Sequence, residues 1–505
     1  MNDQELSVQN SALPAQLPVG IVHLGLGAFH RAHQALYTEE AIVQAGGDWG
    51  ICAVSMRNRT LVETMQRQEC RYTLIEQSCP SPALRELSVI REVLCLADSP
   101  EHVLMRLADP QVHIVTITVT EKGYLVGAVG APEGPLSMDD SAIVRDLQHP
   151  QQPSTLVGTL VYGLQRRRLA NRGGLTLISC DNLSANGHLL KSIVLQFAGS
   201  IEKSLVDWIE SHCRFPDTMV DRITPAPDDS TLALTAQLLP QPDPCAVEAE
   251  PFRQWVIEDS FAGPRPAWEQ VGAQLVDDVA PYEAMKLRML NGAHSLIAYL
   301  GAVTGLDFVR QVMAEPVYRQ LVDLHMQSAV QTVSGIEPTV LAQYRIALLQ
   351  RFDNPAIDHR CLQIATDGSQ KLPQRILTPA LELMHIAQPD LLDPTDREQL
   401  NSKVTSTYAL TVALWIQHLL GVNEAGDPID SQDPHLQEFR AIIADTDHGE
   451  ELVRRLMSFK GFPQILLEHT HWMTLIADYL AALSTDGART VISNVLAQAC
   501  LSPEH

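Results

Sequence analysis

Several marks of common protein classes are missing from this chain. Its nine cysteines lie scattered at positions 52, 70, 79, 95, 180, 213, 245, 361 and 500. None forms a C-x-x-C pair, and the total is odd. That pattern argues against a disulfide framework and against a zinc cluster, and fits reduced thiols in a cytosol. Basic residues are scarce: 36 Lys and Arg stand against 60 Asp and Glu, a formal net charge of −24. Such a surface repels a phosphate backbone and an anionic bilayer, so neither nucleic acid nor membrane is expected as a partner. It does not exclude an anionic small molecule, because a few local cations in a dry pocket outweigh a distant acidic surface. No uninterrupted apolar run reaches the about 18 residues needed to span a bilayer. The opening MNDQELSVQNSALPAQLP has no basic start followed by an apolar run, so no secretory leader is read there. A cytoplasmic location is expected, with residues 1–17 as a loose tail. Fixed-period repeats and low-complexity tracts are also missing.

What is present is ordinary globular material, 45% hydrophobic and 19% charged over 505 residues. That length implies two domains. The first half alternates strand-like runs (Gly20 to Leu24, Gly50 to Ser55, Val112 to Val119, Leu175 to Ser179) with helical stretches such as Arg31 to Ala45. Apolar runs alternating with helices predict an α/β fold with a parallel sheet of Rossmann type. From Pro281 onward the pattern is helical and nearly strand-free, with helices expected at Tyr282 to Gly301, Pro316 to Val330, Val340 to Phe352, Pro379 to Ala387, Arg397 to Leu420, Pro434 to Asp445, Gly449 to Lys460 and Thr470 to Leu483. The expected domains are a dinucleotide-binding unit over 18–279 and a largely α-helical, substrate-binding unit over 280–505.

In IVHLGLGAFHRAHQA, Gly25 and Gly27 follow a strand and precede a helix. Backbone N–H groups at such a turn, with the positive end of the helix dipole, hold a pyrophosphate, and glycine permits close approach. Candidate cofactor contacts are therefore Gly25, Leu26, Gly27, Phe29 and His30. The third glycine of the usual fingerprint is replaced by His30, and a plain strand-to-helix turn reads equally well. The acidic residue expected about 20 positions on, to bind ribose hydroxyls, is also missing. Ser55, Met56, Arg57, Asn58 and Arg59 fill that loop. Arg57 would suit a 2′-phosphate, although both arginines also read as solvated loop charges. The cofactor expectation is NAD, with NADP or dual use as the alternative.

PYEAMKLRMLNGAHSLIAYLG is the segment richest in chemistry. On an α-helix at 100° per residue, Glu283, Lys286, Asn291 and His294 share an arc of roughly 140°. A desolvated lysine becomes a usable base, able to take a hydroxyl proton as hydride leaves carbon, and amide N–H groups can stabilise the alkoxide. The bland alternative is a partly solvated helix. A second polar turn, SCDNLSANG, follows a buried strand and offers Asn182 at the carboxyl end of the sheet, where ligands of such folds bind; a turn-forming Asx role is its alternative.

Taken together, IVHLGLGAFHRAHQA, TVTEKGY, SCDNLSANGH, MVDRITP, EPFRQWVIED, MKLRMLNGAHS and DGSQKLPQR resemble the polyol-specific long-chain dehydrogenases, the mannitol dehydrogenase family. The resemblance runs from about residue 20 to at least 430. It implies a Rossmann-type domain, a helical domain, a cleft between them and no metal ion in catalysis. It places the general base at Lys286, oxyanion amides at Asn182 and Asn291, and a substrate-binding histidine at His294. Glu283 and Asp221 match acidic positions that tune or relay the lysine proton, and Glu121 matches a turn near the cofactor. Glu121-Lys122-Gly123-Tyr124 and Gln363, four residues before Asp367-Gly368-Ser369, look like the fructuronate reductase (mannonate oxidoreductase) branch rather than the mannitol-oxidising one. A uronate carboxylate needs a cation; His359, Arg360, Lys371 and Arg375 are candidates, Lys371 matching a family substrate contact. For Arg360 and Arg375 a surface salt bridge is the alternative. The expected reaction interconverts D-fructuronate and D-mannonate. Alternatives are a mannitol or arabinitol dehydrogenase and, more remotely, a nucleotide-binding protein without turnover. A monomer or small homo-oligomer is expected.

Overall fold

A computed structural model describes residues 8–78, 81–127, 134–355, 358–386, 405–447 and 449–500. Its contacts divide the chain into two compact units, Met1–Ala280 and Pro281–His505.

The described residues of the first unit form twelve strands: β1 (Val8–Gln9), β2 (Val19–Leu24), β3 (Gly50–Ser55), β4 (Tyr72–Glu76), β5 (Ala83–Leu87), β6 (Ile90–Cys95), β7 (Ile114–Ile117), β8 (Thr176–Ser179), β9 (Thr218–Asp221), β10 (Val247–Ala249), β11 (Gln254–Glu258) and β12 (Gln274–Val276). The main sheet has the order β6-β3-β2-β7-β8, and every pair in it is parallel. The chain runs outward from β2 to β6 and then returns to β7 on the other side of β2. This reversal, between β2 and β7, is the crevice where such sheets take ligands.

Successive residues of these strands feed two separate cores. Val22, Cys52, Val54, Val115, Ile117 and Leu177 pack on one face, and Ile21, Ile51, Ala53, Ile114 and Ile178 on the other. Covering both faces explains why the strands read as continuous apolar runs instead of alternating ones.

Two further sheets were not foreseen. β1-β5-β4-β10 forms one and β12-β11-β9 the other. The expected loose tail is in fact held from Val8 onward. β1 pairs with β5, Ser11 Oγ meets Ser88 Oγ at 2.7 Å, and Arg91 donates to the Pro14 carbonyl at 2.9 Å.

The second unit is helical around two helices buried on all sides, Gly292–Thr304 and Ser406–Leu420, which pack on each other. A helix apolar all round belongs at the centre of a bundle. The part of the Arg397 to Leu420 expectation before Thr405, and Ala387 of another, lie outside the described residues. Among the described residues no helix is long and apolar enough to cross a membrane.

Candidate active site

The glycine turn is built by β2, β3 and β7 together. Gly25 has φ +111°, and a Cβ there would sit 2.6 Å from the Thr118 carbonyl carbon and closer still to its oxygen. Only glycine fits. The Gly25 and Leu26 N–H groups both donate to the Val54 carbonyl, at 2.8 and 3.0 Å. Gly27 caps the helix α1 (Ala28–Ala32), and its carbonyl accepts from Arg31 Nε at 3.1 Å. The nearest atom to a Cβ on Gly27 would be 3.6 Å away, and the N–H groups of Gly27, Ala28 and Phe29 have no acceptor among the described residues. Open space beside unbonded amides fits a pyrophosphate.

His30 faces the other way. Its ring is fully buried and stacked on His23, with centroids 3.3 Å apart. His23 in turn reaches Thr116 Oγ1 at 2.9 Å and the Gly25 carbonyl at 3.0 Å. His30 is therefore a prop beneath the turn and not an outward-facing cofactor contact, which corrects its sequence reading. Burial pushes His23 down to about 3 and His30 well below its usual range, so the prop is uncharged at neutral pH.

At the end of β3, Asn58 caps the helix α2 (Arg59–Arg67) by accepting from Leu61 N–H at 3.0 Å, and Arg59 pairs with Asp98. Arg57 is exposed, with no ion pair among the described residues. Glu121 is also exposed, on the short 3-10 turn Glu121–Tyr124 that follows β7. Asn182 is exposed in the turn after β8, and Asp221 is buried at the end of β9.

In the second unit the segment rich in chemistry is one continuous helix with a defect. Ala280–Met285 is α-helical, Lys286–Asn291 is a π turn, and Gly292–Thr304 returns to α. On a regular α-helix Lys286 and Asn291 would point about 140° apart. A π turn bonds i to i+5 and brings them toward one line, so the arc expected from sequence is narrower in fact. Glu283 and Lys286 are half-buried, as is Asn291.

His294 follows on the same helix, 8% exposed, its ring 4.8 Å from Phe352 and 5.3 Å from His359. Its Nε2 has no hydrogen-bond partner among the described residues. Burial first, then the charges of His359, Arg351, Arg375 and Lys286, hold its pKa well below normal. It is a neutral imidazole packed against Phe352 and His359, in the field of nearby cationic side chains.

A second π turn, Pro373–Leu377, follows the helical turn Gly368–Leu372. The two π turns approach at Gly292, where a Cβ would lie 3.2 Å from the Arg375 carbonyl. Arg375 Nη1 reaches Ser295 Oγ at 3.5 Å. Lys371 Nζ donates to the Thr366 carbonyl at 2.7 Å and the Ile364 carbonyl at 3.3 Å, holding the turn before Asp367. Arg360 is exposed and lies 5.0 Å over the Phe308 ring, a place that fits its surface alternative, and Gln363 is exposed nearby in sequence.

Thus His359 lies against His294 and Arg375 reaches Ser295 one residue on, whereas Arg360 lies over Phe308 and Lys371 donates to the turn before Asp367. Arg351 is the residue that sequence reasoning missed. It is 8% exposed near the end of the helix Pro338–Phe352, and a cation buried beside an aromatic was the only signal available. Among the described residues no group of three His, Cys, Asp or Glu side chains is placed to hold a metal ion.

The family profile "Mannitol dehydrogenase Rossmann domain" matches residues 19–270, and "Mannitol dehydrogenase C-terminal domain" matches residues 278–479. D-mannonate oxidoreductase of Escherichia coli (strain K12) is 41% identical over 485 residues, covering 95% of this chain and 96% of that one. Among solved structures, Pseudomonas fluorescens mannitol 2-dehydrogenase in ternary complex with NAD and D-mannitol superposes with a TM-score of 0.81 at 31% identity, covering 98% and 99% of the two chains. D-sorbitol dehydrogenase in substrate-free form gives a TM-score of 0.86 at 29% identity, covering 96% and 97%. This chain belongs to the mannitol dehydrogenase family, and is a nicotinamide-dependent oxidoreductase acting on CH–OH groups.

Proposed function

We propose that the protein interconverts D-fructuronate and D-mannonate, and that its substrate is a linear sugar acid in preference to a neutral polyol. The observation that carries this reading is the set of cationic side chains around His294. Arg351, Arg375 and Lys286 act on one buried, neutral imidazole. Cationic side chains of this kind can bind a substrate carboxylate through charge-assisted bonds. The 41% identity to a D-mannonate oxidoreductase supports the same substrate class.

A bound nicotinamide would supply the hydride. Lys286 Nζ would give its proton to the C5 carbonyl oxygen in reduction and take it back in oxidation. Asn291, brought toward Lys286 by the π turn, and Asn182, in the turn after β8, would donate amide N–H groups to that oxygen. His294 would hold a substrate hydroxyl through Nε2. Glu283 and Asp221 would tune or relay the lysine proton. NAD is the expected cofactor, and NADP is accommodated by a β3 loop without a carboxylate and with Arg57 exposed.

The test is steady-state reduction of D-fructuronate against D-fructose with NADH. The expected kcat/KM ratio favours the acid by at least about 100-fold, the equivalent of one lost charge-assisted pair. Equal or better use of fructose would refute the sugar-acid reading and favour the mannitol 2-dehydrogenase one, which the 31% identical Pseudomonas fluorescens structure supports.

A further inference from the structure

Asp181 immediately precedes Asn182 and is 9% exposed. Its carboxylate is turned back into the first unit. Oδ1 accepts the Thr120 N–H at 2.9 Å, and Oδ2 accepts the Val119 N–H at 3.1 Å and the Tyr124 hydroxyl at 2.8 Å. Tyr124, itself fully buried, also meets Ser179 Oγ at 2.6 Å. On the other side, the Asp181 carbonyl accepts from Asn186 Nδ2 at 3.1 Å. One side chain therefore ties the loop leaving β7 to the turn leaving β8.

That loop needs a tie. Thr120 has φ +70° and ψ 161°, and Leu125 has φ +53°. Positive φ is rare for any residue with a Cβ and rarer for a β-branched one. Such a conformation persists only where surrounding structure over-determines it. Among the described residues the Val119 and Thr120 amides have no acceptor besides Asp181. An ionised carboxylate has two oxygens and room for about four donors. Its isosteric amide has one acceptor oxygen and would set an NH2 against a donor.

We infer that Asp181 is a positioning residue: its carboxylate clamps the strained 118–124 loop to the 180–186 turn and so sets the direction in which the Asn182 amide points. The consequence for turnover rests on the proposed role of Asn182; the clamp itself does not.

The test compares the parent with Asp181→Asn and Tyr124→Phe by hydrogen exchange, NADH fluorescence titration and steady-state kinetics. In Asp181→Asn, exchange over 118–124 should quicken by at least about tenfold while other segments stay unchanged. The kcat should fall at least about tenfold, with sugar KM and NADH Kd held within about threefold, because a misdirected amide costs transition-state stabilisation and not binding. Unchanged exchange over 118–124 would overturn the clamp, and quickened exchange with a kcat within about twofold of the parent would overturn its control of the Asn182 amide. If Asp181→Asn fails to fold, Tyr124→Phe decides. It should lower kcat by about threefold and quicken exchange in the same loop, and parent-like values in both would overturn it. Absence of turnover by the parent on every sugar acid and polyol would count against the proposed reaction alone, leaving the exchange result to decide the clamp.

Discussion

Replacing Gly25 by alanine should damage both the fold and cofactor binding, whereas replacing Gly27 should damage binding only. At Gly25 the new methyl would sit 2.6 Å from the Thr118 carbonyl carbon. The β7 end or the turn would have to yield by more than about 1 Å to restore van der Waals separation. The φ of +111° adds a backbone cost of about 1–3 kcal/mol for a residue with a Cβ. Moving the turn also strains the two N–H bonds to the Val54 carbonyl, each worth about 1 kcal/mol. The sum is roughly 3–5 kcal/mol, enough to lower the melting temperature by several degrees. Relief by opening the turn should weaken NADH binding at least about 30-fold, since about 1.4 kcal/mol is tenfold. At Gly27, φ is −118° and the nearest atom to a new methyl is 3.6 Å away. Gly27→Ala should therefore leave stability within about 0.5 kcal/mol while the methyl fills the space beside the open amides. Thermal melts and NADH fluorescence titration on both variants separate the outcomes. NADH affinity within about threefold of the parent for Gly25→Ala, or equal destabilisation by the two substitutions, would refute the reasoning.

Lys286→Ala should cut kcat by about 10²–10⁴-fold, the usual worth of a positioned acid–base group, with NADH affinity unchanged by titration; near-normal turnover would remove it from the chemistry. Arg57→Leu should weaken NADPH at least about tenfold by fluorescence titration and leave NADH alone, and equal loss of both would show that Arg57 touches no 2′-phosphate. His325 is fully buried and its pKa is pushed down to about 3 by burial. Between that value and the ordinary histidine value the unfolded chain binds the extra proton, so stability falls as pH drops below about 6.5. His325→Leu should flatten the fall in the urea-unfolding free energy between pH 6.5 and 5 by up to about 1.4 kcal/mol per pH unit; an unchanged slope would show that the buried ring is already charged.

The local code was enough for four of the five strands of the main sheet, all but the edge strand β6, and for most of the helical unit. β2, β3, β7 and β8 are apolar on both faces because helices cover both, and a run of that kind announces itself in sequence. The Gly25 turn and the Asn182 turn were legible because each needs particular residue types next to a strand end. The family assignment came from seven motifs in order and not from any single one. The two small sheets were not legible. Their strands are short, carry residues such as Arg85 and Glu76 that pair with each other, and take their partners from distant parts of the chain, as Val8 does with Leu84.

Composition, motif order and the residues named on either side of Ala280 were determined by the sequence itself, since each depends on residue type and neighbours along the chain. Tertiary structure alone decided the π turn, because no residue pattern encodes a bond from i to i+5. It alone turned His30 inward onto His23, gave Lys371 to the Thr366 carbonyl, and brought Arg351 and Arg375 to His294. Those outcomes depend on which surfaces meet across tens to hundreds of residues, and on whether a polar group finds a partner once water has left.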